Sequence, residues 1–446
     1  MKKLLSGLMA VAIVGSSAAS VVACGKGLDT SKITGEKIWL VTDTGKVDDK
    51  SFNQSGFDGG NYFINNIHNP NGTDKTIGKT EPDDLSDLQA AYENAKFDGA
   101  GTLILPGFHH ALEGENKAAR VMNGGTTILL DGDDGGQANQ IGIMFRGDVS
   151  GFYAGLSSLI QLSNDATWTK KEVVMSTFGG VHNAGAVDNF MVGYLASIEV
   201  FNKIVGDEKL KEQFNVGENV TSAKRVSTQE NGPATDQEST WFSGSFAAGD
   251  GKTLSESHIN AGASIIMPVA GPQTKDTLDA IGDRKDVFVV GVDTDQVTSY
   301  GTEKFLTSAE KPLVDATVIS LGHSKLYNGK EGVQDKTLAY AKDKGASFST
   351  AGTDGKFSSY DMEAKKGETW EGKTLWMGGK ASNGGKNKVT AETYNKVSEI
   401  ITQAMLEETS IDLFAKIATD ASAKNILSNA TVKAYADKII ADLNKE

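Results

Sequence analysis

With a single cysteine in 446 residues, the chain can form no intramolecular disulfide, and it cannot build a cysteine zinc site or a catalytic thiol pair. Proline is scarce, seven residues against 51 glycines. That balance suits many tight strand-to-helix turns rather than a proline-rich disordered chain. Basic residues are outnumbered, 44 to 58, for a formal net charge of −14. A body this acidic is as a whole a poor partner for nucleic acid or anionic lipid, and its charge reads first as solubility. Beyond the N-terminus no run reaches the roughly 20 apolar residues that a spanning helix needs.

What is present begins at that N-terminus. Lys2 and Lys3 precede an apolar stretch over 4–14 and a small-residue zone over 16–20, the order of a secretory signal. It ends at Val21-Val22-Ala23-Cys24-Gly25, which resembles a bacterial lipobox. The expectation is a signal peptide over 1–23, cleaved to leave Cys24 carrying acyl chains such as palmitate. Residues 24–36 would then be a polar tether to the extracytoplasmic face of the cell membrane. Two or three chains anchor durably where one does not. Cleavage leaves 423 residues with 42 basic against 58 acidic, enough for two lobes with real interiors.

Apolar runs at 37–43, 101–106, 126–131, 141–145, 172–177, 264–269 and 287–293 are bounded by glycine or aspartate, the pattern of strands covered on both faces. Helical patterns lie between them: 85–96 after Asp83-Asp84, 149–162 after Asp148 and 189–204 after Asp188. Alternating strands and helices make this an α/β chain with parallel sheets. The alternation is long enough for two similar lobes, breaking near 163–170, with a second crossing near 296–307. The expected division is 37–163 with 304–338 in an N-terminal lobe and 164–303 with 339–380 in a C-terminal lobe. Residues 381–446, free of glycine after Gly385, form a helical extension whose packing is left open.

Ligands of open α/β sheets bind past the carboxyl ends of the strands, and polar clusters fall there. The first run leads into Thr42-Asp43-Thr44-Gly45 and on to Asp48-Asp49-Lys50-Ser51-Phe52-Asn53-Gln54. Asp48 and Ser51 could equally be helix caps and Phe52 a core residue. Others are Pro106-Gly107-Phe108-His109, Asp131-Gly132-Asp133-Asp134, Ser243-Gly244-Ser245-Phe246, Ala270-Gly271-Pro272-Gln273, and the stretch from Gly291-Val292-Asp293 to Gln296, with Glu310-Lys311 following. Carboxylates, amides, aromatics and one lysine grip hydroxyls and a flat ring. They include no nucleophile–base set.

Three motifs fail on context. Residues 367–374 satisfy the phosphate-loop pattern, but no apolar strand precedes them and no helix is expected to follow. The Asp131/Asp133 and Asp293/Asp295 pairs begin like calcium loops, yet the twelfth positions are Gly142 and Lys304 rather than glutamate. His109 and His110 are adjacent and so point apart. Without a serine elbow or a zinc-type histidine motif, the chain reads as no enzyme, and no cofactor or metal is implied.

In this order the clusters resemble the basic membrane protein family, the purine nucleoside receptor A-like substrate-binding lipoproteins. The opening stretch 41–54 is similar nearly residue for residue. The likeness continues through Phe152-Tyr153-Ala154-Gly155, Phe190-Met191-Val192-Gly193-Tyr194, Gly244-Ser245-Phe246 and Thr307-Ser308-Ala309-Glu310-Lys311, covering about 37–380. The resemblance implies a type I periplasmic-binding-protein fold: two Rossmann-like lobes joined by three crossovers, with ligand clamped between them. It implies capture of a purine nucleoside for an ABC permease and its ATPase. The base would lie between Phe52 and Phe246, with Asp43, Asn53 and Asp131 near it, and Asp293 and Lys311 would hold the ribose hydroxyls. Departures are Pro272-Gln273-Thr274, His109-His110 and the Gly147-Asp148 that follows Arg146. They leave ligand identity open: a flavin or other flat hydroxyl-bearing ligand is the alternative, and a surface antigen or adhesin keeping the fold is another.

Overall fold

Strands form where the apolar runs predict them, since a run apolar on both faces is stable only when helices cover both sides. The computed structural model describes residues 27–43, 45–68, 76–301, 303–419 and 426–445. The expected signal segment and Cys24 lie outside these. Fourteen strands are described: β1 Lys37–Val41, β2 Gly78–Thr80, β3 Ala100–Pro106, β4 Thr126–Leu130, β5 Gln140–Phe145, β6 Glu172–Gly179, β7 Ser222–Arg225, β8 Ile265–Val269, β9 Phe288–Asp293, β10 Phe305–Glu310, β11 Phe348–Ala351, β12 Phe357–Tyr360, β13 Lys373–Met377 and β14 Lys380–Ala381. β3, β4, β8 and β9 are buried at every residue.

They assemble into two sheets, ordered β12-β11-β13-β5-β4-β3-β1-β2 and β14-β10-β9-β8-β6-β7. The first five strands of each lobe repeat one plan. β1 to β5 lie in the order 2-1-3-4-5, and β6 to β10 do the same, the doubly wound arrangement with a switch point beside the first strand. Pairing is parallel throughout these ten strands. The chain passes between sheets three times: at Arg146 after β5, at Lys311 after β10, and at Gly378-Gly379 between β13 and β14. Two lobes of this topology joined by three crossovers are the type I periplasmic-binding-protein fold expected from the sequence.

Several expectations about boundaries need correction. The first crossing falls at 146, not 163–170, because the helix Gly147–Asn164 packs against the helix Asn189–Val205 of the second lobe. Their glycines allow backbone contact: a Cβ on Gly193 would lie 1.9 Å from the Asp148 carbonyl oxygen. The second crossing comes after β10, not before it. β10 pairs with β9, so 305–310 belongs to the second sheet, and only the helices from Leu313–Gly322 onward return to the first lobe. β11 to β13 join the first sheet rather than the second, since β13 runs parallel to β5. The phosphate-loop look-alike leads into β13, and Lys373 is paired with Glu368 at 2.8 Å.

Residues 28–36 are no loose tether. Asp29 N donates to Glu93 (3.0 Å), Lys96 Nζ donates to the carbonyls of Asp29 (3.1 Å) and Ser31 (2.6 Å), and Ile33 N donates to Asn123 O (3.0 Å). Leu28 and Ile33 pack on the first-lobe core. The C-terminal extension also packs on the body, with the helix Asn429–Leu443 lying on Asn189–Val205 of the second lobe. Phe414 of the helix Ile411–Thr419 meets Phe357 (5.4 Å between ring centres) and Trp376 (4.7 Å) of the first sheet. The extension therefore spans both lobes behind the crossovers.

The cap expectations divide. Asp84 caps as expected, accepting from Ser86 N at 2.8 Å. Asp148 lies inside its helix and instead holds Arg146, at 3.0 and 3.1 Å. At the 189–205 helix the capping role passes to Asn183, whose side chain accepts from Gly185 N and Ala186 N at the head of the preceding turn.

Candidate ligand-binding cleft

The carboxyl ends of both sheets face each other, and the loops leaving them carry the side chains read from the sequence. Asp131 follows β4 and Asp293 ends β9, the fourth strand in the plan of each lobe. Both adopt left-handed backbone, with φ 67° and 66°. A non-glycine residue is seldom held there except where surrounding structure enforces it, often at a functional site.

Lys311, at the second crossover, joins the two. Its ammonium donates to Asp131 Oδ2 and to the Ala186 carbonyl (3.1 Å), and it stands 3.7 Å from Asp293 Oδ1. The rings of Phe52, Phe190 and Phe145 surround it at 5.2, 5.0 and 5.9 Å. The ammonium and both carboxylates are buried. Burial pushes Asp131 up to about 6, against the opposing pull of Lys311. Asp293 also accepts from Ser51 Oγ of the first lobe at 3.0 Å. Gly271 (φ 48°) lies against that pair, where a Cβ would come within 3.3 Å of Ser51 Oγ. The lobes are thus closed on one another here, with a further bond from Lys50 Nζ to Ser299 O at 3.3 Å.

The remaining predicted residues form the other end of the cleft. Asp43 Oδ2 contacts His109 Nδ1 at 2.6 Å, and the His109 and Phe108 rings lie 5.8 and 6.0 Å from Phe246 of the second lobe. Asn53 is tied to Asp49, which accepts from its side-chain amide (3.0 Å) and from the backbone N–H groups of Ser51, Asn53 and Gln54. Asp49, not Asp48 or the Ser51 side chain, therefore caps the helix Phe52–Tyr62. Burial raises the Asp49 carboxyl despite those bonds. Among the described residues Phe52 and Phe246 make no ring contact with each other: Lys311 flanks the first, and Phe108 and His109 flank the second.

Two buried oxygens, Asn53 Oδ1 and Asp131 Oδ1, have no hydrogen-bond partner among the described residues. Such groups cost free energy unless a partner arrives. A ligand offering N–H or O–H donors would satisfy them.

Sequence reasoning placed the seven residues near the cleft, with Phe52 and Asn53 at the head of a helix rather than on a loop, but missed what holds them. Gln273 donates to the carbonyls of Ser245 (2.8 Å) and Ala247 (3.0 Å), shaping the Phe246 loop. Gln296 accepts from Val292 N and donates to Gly271 O, fixing the turn beyond β9. Both stood in quoted clusters, so proximity to strand ends was their signal. Nothing in the sequence marks the Ala186 carbonyl, and nothing there pairs His109 with Asp43.

Sheet order and crossovers together define a two-lobed α/β protein of the type I periplasmic-binding-protein fold. Within it, residues 237–335 match the model of the family described as ABC transporter substrate-binding protein PnrA-like. That stretch contains Phe246, Asp293 and Lys311. The chain is also similar to an uncharacterized lipoprotein of Mycoplasma pneumoniae, 24% identical over 366 residues, 64% of this chain and 53% of the relative. It thus spans about half the length of that relative. Among solved structures, an ABC transporter solute-binding protein from Aeropyrum pernix K1 aligns over 92% of this chain and 98% of its own, at 16% identity and TM-score 0.49. Another, from Mycobacterium smegmatis with bound glycerol, aligns over 67% and 90% at 13% identity and TM-score 0.42. No helix among the described residues is long and apolar enough to cross a membrane.

Proposed function

We propose that this chain is the ligand-capturing lipoprotein of an ABC importer, held at the extracytoplasmic membrane face by Cys24, and that its ligand is a purine nucleoside. The observation that carries the ligand reading is the buried Asp131–Lys311–Asp293 group with the unpartnered oxygens of Asp131 and Asn53. Vicinal hydroxyls donate to carboxylates and accept from an ammonium, so a ribose suits Asp293 and Lys311. A flat base between Phe52 and Phe246 gains stacking of about 1–3 kcal/mol per aromatic face. Its ring N–H and amino groups would supply the donors that Asn53 and Asp131 lack, with Asp43 and His109 at the same end. Such a ligand touches both lobes and stabilises the closed form by its differential affinity for closed over open. The permease would read that closed form.

The test is a thermal-shift screen of protein lacking residues 1–24, refolded free of ligand, against nucleosides, bases, flavins and ribose. A ligand specific for the folded state adds about 4 kcal/mol at a thousandfold excess over Kd. A large shift with inosine, guanosine or adenosine, absent with ribose and free bases, is expected. Phe246→Ala and Asp293→Ala should abolish the shift while unfolding stays cooperative. Wild-type affinity in both variants would sink the assigned site, and a response to flavin alone would replace the ligand.

A further inference from the structure

We propose that, while the protein is not docked on a permease, the outer pole of the first lobe rests on the lipid surface, with Phe97 at the interface and the cleft turned away from the bilayer. The inference depends on the anchoring reading of Cys24 and adds an orientation to it.

The first argument is the length of the leash. From Cys24 to Gly27 there are three Cα steps, about 11 Å fully extended at 3.8 Å each. From Leu28 onward the chain is sewn to the first lobe by Asp29, Lys96, Asn123 and Ile33. That stitching runs beside the last turn of the helix Leu88–Phe97, which leads into the start of β3 at Ala100. It therefore lies at the amino ends of the strands, opposite the cleft. An acylated Cys24 cannot lie in a bilayer unless this pole is close to it.

The surface of the pole supplies the second argument. Phe97 is 90% exposed, and the other exposed large hydrophobic side chain among the described residues, Tyr62, is 38% exposed. An apolar ring so uncovered suits a lipid interface. Although the chain is acidic overall, this pole presents exposed Lys32, Lys37, Arg120 and Lys325. Arg120 and Lys325 flank a groove of about 480 Å³ that also touches Thr30 and Asn123 of the stitched region. The carboxylates nearby are partly committed, Asp29 to Lys96 and Glu36 to Lys330; Asp98 and Glu371, which lines the same groove, are the acidic exceptions. A local basic patch is attracted to anionic headgroups within a Debye length, whatever the net charge of the far surface.

The experiment uses the lipidated full chain reconstituted into phosphatidylcholine–phosphatidylglycerol vesicles. Acylation consumes the sulfur of Cys24, so one introduced cysteine takes the label alone. An environment-sensitive fluorophore on Asp98→Cys should be quenched several-fold more by headgroup-level nitroxide lipids than one on Lys285→Cys, which lies just before β9 at the amino end of the second sheet. Phe97→Ser in the Asp98→Cys background should reduce that quenching without changing the unfolding midpoint. Equal quenching at 98 and 285 in protein that floats with the vesicles would overturn the orientation and leave the anchor standing. Failure of the chain to float would overturn the anchor, and the orientation with it.

Discussion

Replacing Lys311 by methionine keeps much of the side-chain volume but deletes the charge that holds Asp131 of one lobe beside Asp293 of the other. Two buried carboxylates would then face each other without a cation. Removing one partner of a buried ion pair costs about 3–5 kcal/mol. At 1.4 kcal/mol per tenfold, that lowers the closed-to-open ratio by roughly a hundred- to several-thousand-fold. Opening relieves the strain by returning both carboxylates to water, so the loss should appear as lobe separation before it appears as unfolding. It should also depend on pH. Asp131 already stands at about 6, and losing the adjacent ammonium raises it further. At pH 5 it takes a proton and the repulsion fades, whereas at pH 8 the full penalty applies. The assay is energy transfer between dyes on Asp98→Cys and Lys285→Cys in protein lacking residues 1–24, followed from pH 5 to pH 8 with and without Lys311→Met. The variant should lose transfer at pH 8 and regain part of it at pH 5. Unchanged transfer across that range would show that the ammonium does not hold the lobes together.

Two further outcomes follow from neighbouring features. Asp131 has its folded-state pKa raised to about 6, above the roughly 3.9 of an unfolded aspartate. Its contribution therefore favours folding below about pH 4 and is lost as pH rises through about 6, at up to about 1.4 kcal/mol per pH unit. Asp131→Asn should flatten that slope in urea titrations compared between pH 4.5 and 7.5, and an identical slope would contradict it. Phe414→Ala empties the space between Phe357, Trp376 and the Arg146 guanidinium, which lies 5.1 Å from its ring. The expected cost is about 3–5 kcal/mol in chemical denaturation, and a loss under about 1 kcal/mol would mean that the extension does not clasp the crossovers.

The behaviour of Arg146 shows how far local sequence reaches. Its guanidinium is buried where the chain first changes sheets, bonded to Asp148 two residues away and to the Leu406 carbonyl at 3.4 Å, with Glu407 at 3.8 Å. Tyr435 and Ser410 complete the Asp148 carboxylate. The nearby aspartate read as a helix cap because capping is a local property. Beyond Arg146, its partners Ser410 and Tyr435 lie more than 250 positions away, and no pattern of spacing reveals them. Phe414 and the stitched segment 28–36 were opaque for the same reason: polar or amphipathic stretches do not say which surface they will meet.

By itself the sequence determined the α/β class, the buried strands β1, β3 to β6, β8 and β9, and the strand-end segments that carry most of the seven candidate residues. Those features follow from runs of neighbouring residues: apolar continuity demands cover on both faces, and polar clusters at strand ends have nowhere to go but the cleft. Tertiary structure alone decided that β10 completes the second sheet, that β11 to β13 return to the first, and that Lys311 sits between two aspartates of opposite lobes. Strands such as β7, β11 and β12 are short and partly exposed, so their pairing is set by which edge is available. The ion group exists only because two crossovers bring distant loops together, and its energetics depend on a burial that no single segment possesses.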